Sequence, residues 1–171
     1  EKFFENVWVQ PAAGDAGGSL GAALALWHKE LKKERVFPLK DEMRGSYLGP
    51  SFSDNEIESS LRASNANFIK LNDQELIEKI ALALADQKAI GWMQGRMEFG
   101  PRSLGNRSII ADPRSPIMQK QLNLKVKYRE SFRPFGPSIL ENKASEWFDI
   151  NVKSPDMLLV AELNEKLKIK M

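Results

Sequence analysis

The sequence predicts an α/β fold. Short apolar runs of strand character alternate with segments whose apolar residues recur at helical spacing. Two of the helix starts carry a capping pattern, and no internal repeat or low-complexity tract interrupts the alternation.

Taken in order, residues 6–10, NVWVQ, alternate apolar and polar and predict a strand. The Gly-rich loop PAAGDAGG leads into a helix predicted from about Gly18 to Arg35, with Leu20, Leu24, Trp27 and Leu31 on one face. Pro and Gly punctuate RVFPLKDEMRGSYLGPSFSD, which predicts a linker and a domain boundary near residue 40. A short helix is predicted from Ser53, where Ser53 and Glu56 form an S-x-x-E capping box. A second runs from Asn72 to about Asp86, again with a capping pair (Asn72, Glu75) and a stripe of Ile77, Ile80, Ala81 and Leu84. AIGWMQG (89–95) and SIIAD (108–112) predict strands, and Pro116 opens a helix through Leu124. FGPSIL (135–140) predicts a short strand, NKASEWF (142–148) a helix, and MLLVAEL (157–163) a buried strand.

The 171 residues are 42% apolar and 28% charged with a net charge of +2, ordinary for a globular domain with a sizeable core. There is no cysteine, which excludes disulfides, thiol nucleophiles and zinc-thiolate sites and suits a reducing, cytoplasmic setting. No apolar run approaches the ~20 residues that span a bilayer, and the start lacks the pattern of a signal peptide. The chain begins and ends as if cut from something longer.

Charge is unevenly spread. From Arg96 to Arg133 there are nine basic residues against Glu98, Asp112 and Glu130. The stretch EFGPRSLGNRSIIADPR (98–114) holds Arg102, Arg107 and Arg114 on a backbone broken by Gly100, Gly105, Pro101 and Pro113. Guanidinium forks fit phosphate oxygens bidentately, and glycines let a backbone come close to a ligand. Arg102 and Arg107 in one Gly-bounded loop, followed by Lys127, Arg129 and Arg133, point to an anion site rather than a solvated basic surface. Gly100 to Gly105 spells the G-x-x-x-x-G of a P-loop, but Asn106 and Arg107 stand where Lys and Ser or Thr are needed.

GRMEFGPRSLGNRSIIADPR followed by YRESFRPFGPSIL resembles the C-terminal domain of the NodU/CmcH-type O-carbamoyltransferases, with YLGPSFS (47–53) and SPDMLLVAEL (154–163) in the same order. The resemblance covers about residues 45–163. It implies a YrdC-like twisted mixed sheet with flanking helices over 41–171, incomplete at its C-terminus. It implies carbamoyl-adenylate formation from carbamoyl phosphate and ATP, with Mg²⁺, and carbamoyl transfer to a hydroxyl-bearing small molecule. LKVKYRESFRPF echoes the K-x-R…P element of the YrdC nucleotide site, here Lys127, Arg129 and Pro134.

Residues 1–40 resemble the last segment of the family's actin-like transferase domain, through VQPAAGDAGGSLGAAL. There a GD-x-G turn supplies an Asp to a divalent iron-type metal, so Asp15 is the matching position, beside the simpler reading of a helix-capping Asp. One Asp cannot hold a metal alone, and the resemblance places the family's His ligands upstream, outside this chain, so Asp15 is a ligand only with them. His28 reads as a surface residue. Separated from its domain, this helix with Trp8, Leu20, Leu24 and Trp27 would expose apolar surface and dock on the rest of the protein or on a second copy, making a homo-oligomer.

Within the site, Arg102 and Arg107 are the candidate catalytic residues. Arg96, Ser103, Asn106, Ser108, Lys127, Arg129 and Arg133 are the candidate nucleotide and carbamoyl-phosphate ligands. Ser103, Asn106 and Ser108 suit hydrogen bonds to a carbamoyl group or ribose, and equally suit turn formation. Glu98 fits pairing with an arginine better than Mg²⁺. Tyr128, Phe132 and Phe135 fit core packing better than stacking on adenine. Two other classes remain open: a nucleic-acid-binding YrdC-like module and a non-catalytic interaction domain. Clustering of the arginines in one Gly-bounded segment favours a pocket over a nucleic-acid face.

Overall fold

The computed structural model describes residues 8–168. The fold is mixed α/β, as predicted, and the chain divides into two compact units. One comprises Glu1–Gly49, Glu98–Leu104 and Pro137–Met171, the other Pro50–Met97 and Gly105–Gly136.

In the second unit, the capping chemistry acts where the sequence placed it. Helix α2 spans Asp54–Ala63 and α3 spans Asp73–Ala85, numbered after α1 of the first unit, Asp15–Ala25. The Ser53 hydroxyl accepts from the Glu56 N–H, and the Glu56 carboxylate accepts from the Ser53 N–H at 2.7 Å. Asn72 and Glu75 repeat the exchange at 3.0 and 3.1 Å. Each box satisfies two backbone donors left over at a helix start, and each Glu also faces the positive end of the helix dipole.

The two strands predicted at 89–95 and 108–112 form β1 (Ile90–Met93) and β2 (Arg107–Ile110). They pair antiparallel, with Ile90 opposite Ile110 and Met93 opposite Arg107. The Gln94 N–H donates to the Asn106 carbonyl at 2.8 Å, carrying the pairing one step past the strands into the connecting loop. The helix expected over 116–124 is shorter and shifted. It is one α-turn, α4 (Met118–Gln121), continued by a π-helical turn over Leu122–Val126. Met118 and Leu122 are the buried hydrophobic residues among those described.

In the first unit α1 begins three residues before Gly18, with Asp15 in its first turn, where a negative charge suits the helix dipole. It ends before Arg35. Its last turn widens into a π-helix over Leu26–Glu30, and Lys32 then adopts a left-handed φ of 50° that ends the helix. Trp8, Leu24 and Trp27 are exposed. Helix α5 (Ala144–Trp147) matches the helix expected at 142–148 and follows a 3₁₀ turn at Glu141–Lys143. Its terminal carbonyls are taken by a distant residue. Asn164 Nδ2 donates to the carbonyls of Ser145 and Glu146 at 3.0 and 2.9 Å, and its backbone N–H to that of Trp147 at 2.9 Å.

Two predicted strands are not strands, and a third is described only in part. Residues 8–10 are irregular, and the remainder of the 6–10 prediction lies outside the described residues. Residues 135–140 carry no ladder. The segment 157–163 makes a single bridge, Leu163 to Phe148, and is not buried, with Val160 99% exposed. An apolar run becomes a strand only when a neighbouring strand takes its backbone groups, and among the described residues the sheet has two strands.

Candidate functional site

The predicted site residues fall into three local constellations. The first is the loop 98–104. Phe99 N–H donates to the Ser46 carbonyl at 2.6 Å, and the buried Glu98 carboxylate accepts from the Leu104 N–H at 2.8 Å. The Tyr47 hydroxyl donates to the Leu104 carbonyl at 3.2 Å. The loop is thus closed at its base, and Arg102 and Ser103 at its tip are exposed. Gly100 has a φ of +106°, and a Cβ there would lie 2.6 Å from the Ala12 Cβ, so only glycine fits.

The second constellation is the loop end of the β1–β2 hairpin. Arg107 begins β2 and is half-buried. Asn106 Nδ2 donates to the Arg96 carbonyl at 2.8 Å, fixing the backbone on which Arg96 is carried. Ser108 Oγ accepts from the Gly105 N–H at 3.2 Å. Asn106 and Ser108 therefore do turn-forming work here, one of the two roles the sequence leaves open. Arg102 and Ser103 belong to the first unit, Arg107 and Ser108 to the second. Arg114, the third arginine of the stretch, is bound to Asp112. Its Nε lies 2.9 Å from both carboxylate oxygens, and this hydrogen bond, with the one from the Arg114 backbone N–H, holds the Asp112 carboxyl below its usual range. An open depression of about 400 Å³ beside that pair is lined by Ala85, Gln87, Asp112, Arg114, Ser115 and Pro116, and holds none of the predicted site residues.

The third constellation is the segment 127–135. Lys127 ends the π-turn, its N–H donating to the Leu122 carbonyl at 2.8 Å. Arg129 is half-buried. Its Nε donates to Asn123 Oδ1 at 2.6 Å, one terminal nitrogen donates to the Pro134 carbonyl at 3.4 Å, and its guanidinium lies over the Phe135 ring, 4.8 Å from the centroid. Arg133 Nε pairs with Glu130 at 2.9 Å, and both groups are more than half exposed, so this ion pair is weak. The aromatic residues depart from the expected core packing. Tyr128 is 85% and Phe132 77% exposed, because a left-handed φ of 49° at Tyr128 turns the chain out of the helix. Phe135 packs on a guanidinium instead of a core.

Sequence reasoning passed over Asn123, Gln119 and Tyr47. Asn123 leaves one legible trace: an amide between Leu122 and Leu124 inside a helical stretch is a polar residue at a position suited to an apolar one.

The resemblance places the partner ligands of Asp15 outside this chain, so its described residues leave the iron-type metal untested. Asp15 is exposed in the first turn of α1, and no group of three or more His, Cys, Asp or Glu among the described residues is placed to hold a metal ion. His28 is partly exposed, and its Nδ1–H donates to the Lys33 carbonyl at 2.9 Å. No described helix is long and apolar enough to cross a membrane.

Comparison with known proteins adds the following. Residues 81–171 match the family described as Carbamoyltransferase C-terminus. An uncharacterized protein of Synechocystis sp. is 53% identical over 168 residues, covering 97% of this chain and 27% of that protein. Nodulation protein NolNO of Sinorhizobium fredii is 43% identical over 148 residues, covering 86% and 21%. Nodulation protein U of Rhizobium fredii is 36% identical over 156 residues, covering 91% and 24%. The chain spans about a quarter of the length of these curated relatives.

Proposed function

The chain belongs to the carbamoyltransferase C-terminus family, whose pattern covers residues 81–171, and from that premise we propose that it is the nucleotide- and carbamoyl-phosphate-binding part of an O-carbamoyltransferase. The reaction in this reading makes carbamoyl-adenylate. The C–O bond between the carbamoyl carbon and the phosphate of carbamoyl phosphate breaks with uptake of water, giving phosphate and carbamate. A carbamate oxygen attacks the α-phosphorus of ATP, and pyrophosphate leaves. The carbamoyl group passes to a hydroxyl-bearing small molecule, releasing AMP. The fold that carries this chemistry is YrdC-like.

Both substrates are polyanions, and charge builds on phosphoryl oxygens in the transition state. Fixed positive donors are what such a site requires. Arg102 and Arg107 are each assigned to phosphoryl or carbamoyl oxygens. Lys127, Arg129 and Arg133 are assigned to the nucleotide phosphates, with Arg96, Ser103, Asn106 and Ser108 as accessory donors. ATP brings Mg²⁺ as its counter-ion, and no geometry is assigned to it.

One observation carries the reading. Arg129 is held by Asn123 and Phe135 with three of its five N–H groups not hydrogen-bonded among the described residues. A guanidinium fixed in place with donors to spare is suited to receive an oxyanion.

The nucleic-acid reading has an observation of its own. Tyr128 and Phe132 are exposed and interleaved with Lys127, Arg129 and Arg133, the pattern on which unpaired bases stack. Calorimetry of the chain with ATP, carbamoyl phosphate and single-stranded RNA across a salt series separates the two. The proposal expects saturable one-to-one heat with ATP. A steep salt slope with RNA and no heat with ATP would overturn it.

A further inference from the structure

The segment that carries Lys127, Arg129 and Arg133 is tied down by two side-chain amides, those of Asn123 and Gln119. Asn123 is wholly buried. Its Nδ2 donates to the carbonyls of Ser131 and Arg133 at 3.1 and 2.8 Å, and its Oδ1 accepts from Arg129 Nε at 2.6 Å. Its backbone carbonyl also accepts from the Arg129 N–H at 2.9 Å. One turn earlier, Gln119 Nε2 donates to the carbonyls of Phe132 and Arg133 at 3.3 and 3.1 Å. The π-turn over Leu122–Val126 lies at this point, and single π-turns inside helices mark sites where the helix has been adapted to a task.

An apolar side chain at position 123 would fill the same space without burying an amide. The amide is tolerated because both of its polar atoms are partnered: Nδ2 donates twice and Oδ1 accepts once. Beside its two bonds to the Ser131 and Arg133 carbonyls, the amide fixes the direction of Arg129, whose guanidinium also lies over the Phe135 ring. A free surface arginine loses rotamer freedom when it grips a ligand, and an arginine already held does not. We infer that Asn123 and Phe135 are positioning residues, which hold Arg129 as a preorganised fork for the phosphates of a nucleotide. This inference rests on the reading given under Proposed function. It adds that recognition at Arg129 depends on a buried amide and a ring that themselves touch no ligand.

The test is a double-mutant cycle read by binding of ATP and of inorganic pyrophosphate to the chain. Asn123→Ala, Phe135→Leu and Arg129→Ala are made singly, and the first two are also combined with Arg129→Ala. With Arg129 present, Asn123→Ala and Phe135→Leu are expected to weaken binding about tenfold, and with Arg129 removed by less than about threefold. Each partner's effect then runs through the guanidinium. Equal factors in both backgrounds would make the two residues general supports of the fold and overturn the inference.

Should Asn123→Ala not fold, the Phe135→Leu pair decides the matter, since that change leaves every Asn123 bond in place. Tight ATP binding untouched by Arg129→Ala would overturn the inference while leaving the functional reading standing. No binding of ATP or pyrophosphate by the unaltered chain would overturn the functional reading and, with it, the inference.

Discussion

Gly100→Ala is expected to be among the costliest changes of a single methyl group in the loop that carries Arg102 and Ser103. Two effects act together. The φ of +106° is one that L-residues rarely adopt, and holding alanine there costs about 1–3 kcal/mol. The added Cβ would also lie 2.6 Å from the Ala12 Cβ. Carbon atoms in contact sit about 3.5–4.0 Å apart, so roughly 1 Å of overlap must be relieved by movement, at about 1–3 kcal/mol. The sum is about 2–6 kcal/mol, a large share of the 5–15 kcal/mol that usually separates folded from unfolded chains. Urea unfolding measures it. With a slope of about 1–3 kcal/mol per molar, the midpoint should fall by roughly 2 M.

Gly105→Ala is the internal control. Its φ is +110°, but no atom lies within 4 Å of the new Cβ, so only the backbone part should appear. Adding Ala12→Gly to Gly100→Ala removes the other half of the overlap and should recover about 1–3 kcal/mol. If Gly100→Ala costs no more than Gly105→Ala, or if Ala12→Gly restores nothing, the close approach of residues 12 and 100 is not what makes position 100 a glycine.

Arg102→Lys keeps the charge and loses the fork, so under the proposed adenylate-forming function ATP–pyrophosphate exchange by the full-length protein should lose about 2–4 kcal/mol of transition-state stabilisation with an unchanged melting temperature. The reverse pattern would make Arg102 structural. The Asp112 carboxyl is held below its usual range, first by the Arg114 side chain and then by the Arg114 N–H. Its folded value therefore lies below its unfolded value of about 3.9. The stability it contributes is present above that pH and is lost as pH falls through the folded value. Asp112→Asn should make the urea midpoint fall less steeply between about pH 5 and pH 3, and an unaltered slope would mean the pair adds nothing. Asn72→Ala should cost about 1 kcal/mol in the same assay, as the loss of a helix cap does; no cost would mean that the Glu75 half of the box suffices.

Features whose partners lie within a few residues were legible in the sequence. Ser53 with Glu56 and Asn72 with Glu75 are bonds across one turn, so their spacing alone predicts them. The strands at 90–93 and 107–110 were legible because each found the other as its partner. MLLVAEL and FGPSIL have the same composition of a strand and did not become one, since strand formation is decided by a neighbour whose presence no local pattern reports. The arginines stood out as candidate anion ligands by type and by their broken backbone. Which of them is already committed was not legible. Arg114 is bound to Asp112 and Arg129 is clamped by Asn123 and Phe135, while Arg102 stands exposed at the tip of its loop. A guanidinium has the same five donors in every case, and only the packing around it decides how many are left for a ligand.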